Sequence, residues 1–232
     1  MRFLAALLVA WLAAGCAATT DRADAYDPWE GMNRKTFAFN EKLDTAVLKP
    51  VATTYKKVVP DFAREGVNNF FDNLEDIGTS LNNVLQGKPG QGLSDAGRFL
   101  VNSTLGVFGL WDVATPMGLE KHYEDFGQTL GVWGVQSGPY LVLPLLGPST
   151  ARDAPAKIVD PSWYYSTYVD PESLYWGLWT LDKVRTRANL LGAESVVEQA
   201  ALDKYSFIRD AWMQRRQSQV YDGHPPRPKE DE

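Results

Sequence analysis

The sequence predicts an all-α protein with one folded domain and no significant sheet. Apolar side chains recur at three- and four-residue steps along much of the chain, which is the spacing of amphipathic helices. Residues that cap or end helices bracket these segments. No run of alternating apolar and polar residues is long enough to indicate a strand. A chain of 232 residues can bury one sizeable core, so a single domain is sufficient.

The N-terminal residues 1–15 have the layout of a secretory signal peptide. Arg2 comes before an apolar run over residues 3–14 that is too short to cross a bilayer comfortably. Small residues then lead to Cys16, the only cysteine, and "LAAGC" resembles a bacterial lipobox, although its leucine stands one place early. The alternative is an ordinary signal peptide with a cysteine at its cleavage site. Because a free thiol is a liability in an oxidising compartment, we predict that Cys16 is lipidated.

Residues 16–26 are predicted to form a lipidated tether in front of the folded body. The stretch "AATTDRADAY" is small and polar, and a segment of its length reaches at most about 33 Å when extended. The body therefore stays close to the membrane that holds the acyl chains. Ala17 is not the aspartate of an inner-membrane retention signal. We expect a lipid-anchored protein of the outer membrane, on the inner leaflet that faces the periplasm.

The helical domain is predicted over residues 27–221, before a disordered tail over residues 222–232. A capping pattern at Asp27, Pro28 and Glu30 opens the first helix, which is expected to end before Pro50. The stretch "YLVLPLL" comes nearest to a strand, but Pro144 argues against one. The predicted helices have the approximate bounds 27–46, 61–86, 93–105, 110–114, 124–135, 149–159, 170–191, 193–200 and 202–220.

The helix predicted over residues 61–86 has the clearest periodicity and an unusual polar face. Its apolar stripe lies opposite a face that contains Asn68, Asn69, Asn73, Asn82 and Asn83. That face lacks the Lys and Arg expected of a helix on anionic lipid. We interpret it as a face exposed to water. The alternative is the polar wall of a channel.

A dense aromatic cluster follows residue 162. Trp and Tyr rings favour positions that are partly in lipid and partly in water, so we predict contact with the membrane interface. The alternative is an aromatic core. The predicted interface residues are Trp163, Tyr164, Tyr165, Tyr168, Trp176 and Trp179.

No catalytic, metal or cofactor site is predicted. Residues 127–131, "GQTLG", have the spacing of a hydrolase nucleophile elbow with Thr129 in place of serine, but no strand is predicted before them. The histidines are His122 and His224, too few with one lipidated cysteine for a usual zinc site. The net charge of −6 argues against binding to nucleic acid.

Four motifs together give a resemblance to a known family. "DPWEGMNRKTFAFN", "NFFDNLEDIGTSLNNVLQG", "GRFLVNSTLGVFGLWDVAT" and "FGQTLGVWGVQSGPYLVLPLLGPSTARD" look like the MlaA (VacJ) outer-membrane lipoproteins, in the right order over about residues 27–191. The resemblance implies a ring-like bundle of amphipathic helices that lies in the membrane and encloses an amphipathic channel. It also implies association with a trimeric porin, removal of phospholipid mislocalised in the outer leaflet, and transfer to a periplasmic lipid-carrier protein.

The segment 128–153 combines the most apolar mature sequence with frequent Gly and Pro. Irregular backbone at membrane depth is tolerated where it is buried in protein or lines a cavity. We therefore predict a channel or gating segment, with a packed connection as the alternative. Its candidate residues are Gly131, Trp133, Gly134, Gly138, Tyr140, Pro144 and Gly147.

Two rival functions remain open from the sequence. A structural envelope lipoprotein would bind protein partners but no lipid. A lipoprotein phospholipase would need a nucleophile, for which Thr129 is the candidate.

Overall fold

The computed structural model describes residues 26–159 and 172–226. The predicted signal peptide, Cys16 and the aromatic residues 163–168 lie outside them, as do tail residues 227–232. The described chain is mostly helical, which confirms the predicted fold class. Its helices are α1 Glu30–Leu43, α2 Lys49–Val58, α3 Asp61–Leu85, α4 Pro89–Thr104, α5 Phe126–Val132, α6 Asp153–Val159, α7 Glu172–Ala200 and α8 Lys204–Val220.

Helical backbone continues through Pro50, before which the first helix was predicted to end. A π-helical turn, Asp44–Leu48, joins α1 directly to α2. The Lys49 amide donates to the Asp44 carbonyl, five residues back, and Pro50 lies in the first turn of α2. A proline within continuous helical backbone lacks one amide donor, and its ring crowds the carbonyl four residues before it. The wider turn therefore lets the chain pass Pro50 without a break.

Helices α3 and α4 make the most extensive contact between elements in the described chain. Gly87, at φ 79°, follows the C-cap of α3 and allows the reversal. Gly92 lies so close to α3 that a Cβ there would be 2.7 Å from Val84 Cγ2 and 2.9 Å from the Ser80 carbonyl. The missing side chain at Gly92 is therefore what permits this close packing.

The helix predicted near residues 110–114 is absent, since these residues form turns. Asn102 of α4 accepts hydrogen bonds from the amides of Val113 and Ala114, at 2.8 and 2.9 Å. The Asn102 side chain thus accepts hydrogen bonds from two amides that, in a helix, would bond to backbone carbonyls. The separate helices predicted over 170–191 and 193–200 are instead one, because Gly192 is tolerated inside α7. An interior glycine costs about 1 kcal/mol relative to alanine, which tertiary packing can offset.

A short antiparallel hairpin corrects the strand prediction. Strands β1 Tyr140–Leu143 and β2 Gly147–Thr150 pair with Val142 opposite Pro148. The Val142 amide points away from β2, so Pro148 occupies a position where no ladder hydrogen bond is lost. Pro144 follows the last paired residue and lies in the turn.

The hairpin belongs to the hydrophobic core rather than to a surface loop. Tyr140 is fully buried and packs with Val142 and Tyr205. The Tyr140 ring meets the rings of Tyr205 and Trp212 edge to face, at centroid distances of 6.3 and 6.1 Å. Because Tyr205 and Trp212 lie on α8, the core joins this helix to the hairpin.

Candidate functional site

The polarity of the described chain is inverted relative to that of a water-soluble domain. Many fully or nearly fully buried side chains are Asn, Asp, Thr or Arg, whereas large apolar side chains are exposed along most helices. Contiguous exposed apolar surface marks contact with a partner or a membrane. Exposed members include Phe62, Ile77, Leu81, Val84, Leu93, Leu100, Phe108, Trp111 and Trp133.

Helix α3 displays the inversion within one element. Asn73, Asn82 and Asn83 are buried at 3% exposure or less, whereas Leu81 and Val84 are 46% and 50% exposed. The interpretation of the Asn-rich face as exposed to water is therefore wrong for these three residues. Periodicity identified the two faces correctly, but it does not tell which face meets protein.

Buried charges fill the interface between α3 and α4. Asp76 is fully buried and forms ion pairs with Lys121 and, at 3.4 Å, with Arg98 Nε. Arg98 also contacts Asp112 at 3.2 Å and donates to Thr115 Oγ1 at 2.9 Å. Burial raises the pKa of Asp76, although Lys121 opposes the shift. The carboxylate thus depends on its cations.

A second buried acid lies next to this interface. Asp95 is fully buried, accepts a hydrogen bond from Asn83 Nδ2 at 2.9 Å, and lies 3.1 Å from His122 Nδ1. Two helices and the following loop are thereby joined by side-chain polar contacts. No group of three or more His, Cys, Asp or Glu side chains within residues 26–159 and 172–226 is arranged to hold a metal.

Two asparagines on α1 attach the hairpin. Asn33 Nδ2 donates to the Tyr140 carbonyl at 3.0 Å, and its Oδ1 accepts from the Val142 amide at 2.9 Å. Asn40 repeats the pattern two helical turns later, with Nδ2 to the Leu143 carbonyl at 3.0 Å and the Leu145 amide to Oδ1 at 2.9 Å. Side-chain amides therefore satisfy an edge of β1 that would otherwise be an unpaired sheet edge.

The sequence analysis missed Asn33 and Asn40. The available signal was their seven-residue spacing on a predicted helix, since it places two poor helix formers on one face. Their partners are more than 100 residues away, however, and the spacing alone does not identify them.

A polar cluster fixes the base of the hairpin. Asp27, fully buried, accepts hydrogen bonds from Asn33 Nδ2 at 2.7 Å and from the Tyr205 hydroxyl. Burial and the bond to Asp27 raise the pKa of Tyr205 above its usual value. The Tyr140 amide donates to the Tyr26 carbonyl at 2.8 Å. The base of the hairpin therefore contacts the last residue of the predicted tether and Asp27, which follows it.

The hairpin tip has the opposite character. Leu145 is 57% exposed and has φ 64°, a left-handed conformation that non-glycine residues rarely adopt. Leu146 and Pro144 are also exposed. The tip thus presents a strained apolar turn, held at its backbone by the partly exposed Asn40.

The predicted gating residues have separate structural roles. Trp133 Nε1 donates to the Leu85 carbonyl at 3.0 Å, which joins the end of α5 to the end of α3. Gly131 packs so closely that a Cβ would lie 2.7 Å from Arg152 Nη1. Positive φ angles, at turns or strand ends, are found at Gly134, Gly138 and Gly147.

Only part of the predicted aromatic interface is described. Trp176 is 51% exposed, and its ring meets Trp179 edge to face at 6.0 Å. Trp179 is half-buried and lies under Lys183 Nζ at 5.8 Å. Trp163, Tyr164, Tyr165 and Tyr168 lie outside the described residues.

Thr129 has no partner for nucleophilic chemistry among the described residues. Its side chain is fully buried, and its hydroxyl donates to Asn82 Oδ1 at 2.8 Å. The residues that precede it form the cap and first turn of α5, not the strand that a nucleophile elbow requires.

Helices with apolar residues outside and polar residues inside are typical of proteins that lie in or on a membrane or that bind a protein partner. No helix in the described ranges has the length and apolar content needed to span a bilayer. The sequence profile described as MlaA lipoprotein matches residues 25–219. The chain belongs to the MlaA lipoprotein family.

Individual relatives agree with the family assignment. The Escherichia coli (strain K12) protein named intermembrane phospholipid transport system lipoprotein MlaA is 38% identical over 221 residues, which cover 93% of this chain and 87% of that protein. The Haemophilus influenzae protein of the same name is 31% identical over 95% of this chain and 90% of its own. An uncharacterized protein of Rickettsia bellii is 39% identical over 85% of this chain and 78% of its own.

A solved structure has the same fold. It is described as "Structural basis for maintenance of bacterial outer membrane lipid asymmetry" and matches with a TM-score of 0.73 at 36% identity. The match covers 84% of this chain and 98% of the solved chain.

Proposed function

We propose that this protein is an outer-membrane lipoprotein that removes mislocalised phospholipid from the outer leaflet and so maintains lipid asymmetry. The names of its Escherichia coli and Haemophilus influenzae relatives support phospholipid transport. The description of the solved relative supports a role in outer-membrane asymmetry. The main structural support for the proposal is the inverted polarity of the described chain, with polar side chains buried and apolar side chains exposed.

The apolar exterior supports a location of the folded domain in the acyl region of one leaflet. Burying apolar surface is worth roughly 25 cal/mol per Å², and the exposed residues on α3 and α4 lose that stabilisation in water. Phe62, Leu93 and Leu100 are 78%, 73% and 62% exposed. A lipid environment covers these side chains without a protein partner.

The polar interior supports an amphipathic route for lipid through the protein. A phospholipid in transit needs apolar cover for its tails and polar groups for its head, and amphipathic helices supply both when they form a ring. Buried Asn, Asp and Arg side chains of α3 and α4 give the described interior its polar character. Transport of this kind requires no covalent step on the chain.

The hairpin is the candidate gate of that route. Its base is held by buried Asn33 and by the Asp27 cluster, whereas its tip is held by the partly exposed Asn40. Release of the tip would break two hydrogen bonds and relieve the left-handed strain at Leu145. We therefore propose that residues 143–147 move and that the base stays fixed.

Partners follow from the family resemblance. The proposed arrangement places a trimeric porin beside part of the apolar exterior and a periplasmic lipid-carrier protein on the side that faces the periplasm. Lipidation at Cys16 would hold the body at the inner leaflet, within reach of both.

Mass spectrometry of co-purified lipid tests the proposal against a structural lipoprotein. The full-length protein should be extracted in a neutral detergent and its bound phospholipid compared with that of a lipidated envelope protein purified in parallel. We expect phospholipid above the control level, and depletion of the protein from cells should raise outer-leaflet phospholipid. Lipid at the control level together with unchanged asymmetry would leave only the structural role.

A further inference from the structure

A charged cavity lies between the start of α5, α6 and α8. Residues at the start of α5, on α6 and on α8 enclose about 300 Å³. Its lining includes the carboxylates of Asp125 and Asp153 and the cations of Lys157, Arg215 and Arg216. A volume of about 300 Å³ is at the lower end of ligand pockets, so it suits a small charged group rather than a whole phospholipid.

Both carboxylates already have cationic partners. Arg216 donates in bidentate fashion to Asp125 through Nη1 and Nη2, and through Nε to Asp153 at 2.9 Å. Arg152 Nε donates to the other oxygen of Asp153 at 2.8 Å. Although burial opposes it, these hydrogen bonds lower the pKa of Asp125 and of Asp153 below their usual values. The acids are therefore ionised and neutralised within the protein.

The cationic side chains around the cavity have N–H groups that are not used in ion pairs with described residues. A guanidinium has five N–H groups, of which Arg216 uses three on the two carboxylates. Lys157 Nζ donates to the Pro148 carbonyl at 3.2 Å and forms no ion pair with a described residue. Arg215, which is exposed, likewise forms no ion pair with a described residue.

Lys157 is the unusual member of this set. It is only partly exposed, and a cation that is removed from water without a counter-ion is destabilised. Burial, with repulsion from Arg216, lowers the pKa of Lys157, although the carboxylates of Asp125 and Asp153 oppose the shift. An anion in the cavity would offset the cost of burial and the repulsion from Arg216.

Gly127 packs directly against Arg216 and Asp153. A Cβ at this position would lie 2.3 Å from Arg216 Nη2 and 2.5 Å from Asp153 Oδ1. Any side chain would thus displace the guanidinium from its carboxylates or occupy the space next to it. Without a side chain at position 127, Arg216 keeps its contacts with Asp125 and Asp153 and lines the cavity.

We propose that this cavity binds a phosphate-type oxyanion through Lys157, Arg215 and the remaining N–H groups of Arg216. Charge-assisted hydrogen bonds from lysine and arginine suit phosphate oxygens. The anion is either the phosphodiester of a lipid head group or free inorganic phosphate. The lipid source rests on the proposed transport function, whereas the anion site itself does not.

Calorimetric titration of the full-length protein in a neutral detergent tests the site. One arm uses inorganic phosphate, and the other uses dihexanoylphosphatidylglycerol, a phosphodiester with short chains. We expect Lys157→Gln to weaken binding of whichever of the two probes binds the native protein by roughly tenfold or more, because a hydrogen bond to a charged group is lost. Lys157→Arg should retain most of the affinity, and Lys35→Gln, a change of an exposed lysine on α1, should leave it unchanged.

The outcomes separate the two sources of the anion and the two proposals. Binding of phosphate alone that depends on Lys157 supports the site and assigns it to a free ion, and binding of the phosphodiester assigns it to a head group. Equal heats for the native protein, Lys157→Gln and Arg215→Gln, or no binding in either arm, would overturn the site. Arg215 is exposed, so its variant gives a result even if Lys157→Gln fails to fold. Phospholipid transport that persists in a variant without anion binding would leave the proposed function intact.

Discussion

The α3–α4 pair and the hairpin both bury polar groups beneath exposed apolar residues, but they are held in different ways. In the helix pair, side chains bond to side chains, and the ion pair of Asp76 with Arg98 is buried, with the two residues 0% and 3% exposed. In the hairpin, helix side chains bond to backbone groups, and the contact at the tip is partly exposed. The first arrangement gives a fixed frame. The second allows one end to separate while the other end remains attached.

The energies of the two arrangements differ accordingly. Removing one partner of a buried ion pair costs about 3–5 kcal/mol, because a charge is left without compensation. A typical hydrogen bond contributes about 0.5–1.5 kcal/mol net, so the two bonds of Asn40 are within reach of thermal opening. Variants in the two regions should therefore affect stability and transport in different proportions.

Arg98→Leu should have the largest effect on stability. The variant leaves Asp76 with Lys121 alone and removes the contact to Asp112. We expect the free energy of unfolding to fall by about 3–5 kcal/mol. Denaturant unfolding in detergent, followed by circular dichroism, measures the change, with the exposed Arg215→Leu as control. A loss below about 1 kcal/mol would mean that the buried charges do not hold the frame.

Asn33→Ala should have the next largest effect and should act at the hairpin base. The change leaves the Tyr140 carbonyl and the Val142 amide without their partner and removes one donor to Asp27. We expect a loss of about 2–4 kcal/mol, since each buried unsatisfied group costs about 1–3 kcal/mol. Hydrogen exchange should accelerate at the Val142 amide before it does in α3. Uniform acceleration across the chain would contradict a local role.

Trp176→Ala should have the smallest effect and concerns the interface between protein and lipid. The ring is half-exposed, so its removal should change the unfolding free energy by less than about 1 kcal/mol. It should nevertheless weaken insertion of the body into lipid vesicles, because the ring favours the interface. Trp179→Ala, at the neighbouring half-buried position, should weaken insertion in the same direction but less. If the two variants insert as well as the native protein, the aromatic cluster is ordinary packing.

The sequence predicted the long helices because their periodicity is local. Helix α3 begins at Asp61 as predicted and ends one residue before the predicted Gln86. The medium facing each side of α3 could not be predicted, since an apolar stripe has the same period whether it meets a core or lipid. Asn82 and Asn83 were therefore assigned to water although they are buried.

The hairpin could not be predicted because its stabilising partners are distant in the chain. Pro144 argued against a strand, yet the ladder ends at Leu143. The outer edge of β1 is satisfied by Asn33 and Asn40 of α1. A segment broken by Gly and Pro thus forms a hairpin with a satisfied backbone. Its role as a gate stays a prediction.

The most direct test of the fixed base and movable tip is a reversible crosslink at the tip. Cysteines should replace Asn40 and Leu145, while Cys16 remains native. In the native protein the Leu145 amide donates a hydrogen bond to the Asn40 side chain, so the two positions are close together. When the disulfide forms, outer-leaflet phospholipid should rise to the level of cells that lack the protein, and reductant should restore asymmetry, with protein level unchanged. Each single-cysteine variant controls for loss of the native side chain. Normal asymmetry with a fully formed disulfide would contradict the movable tip and leave the hairpin as static packing.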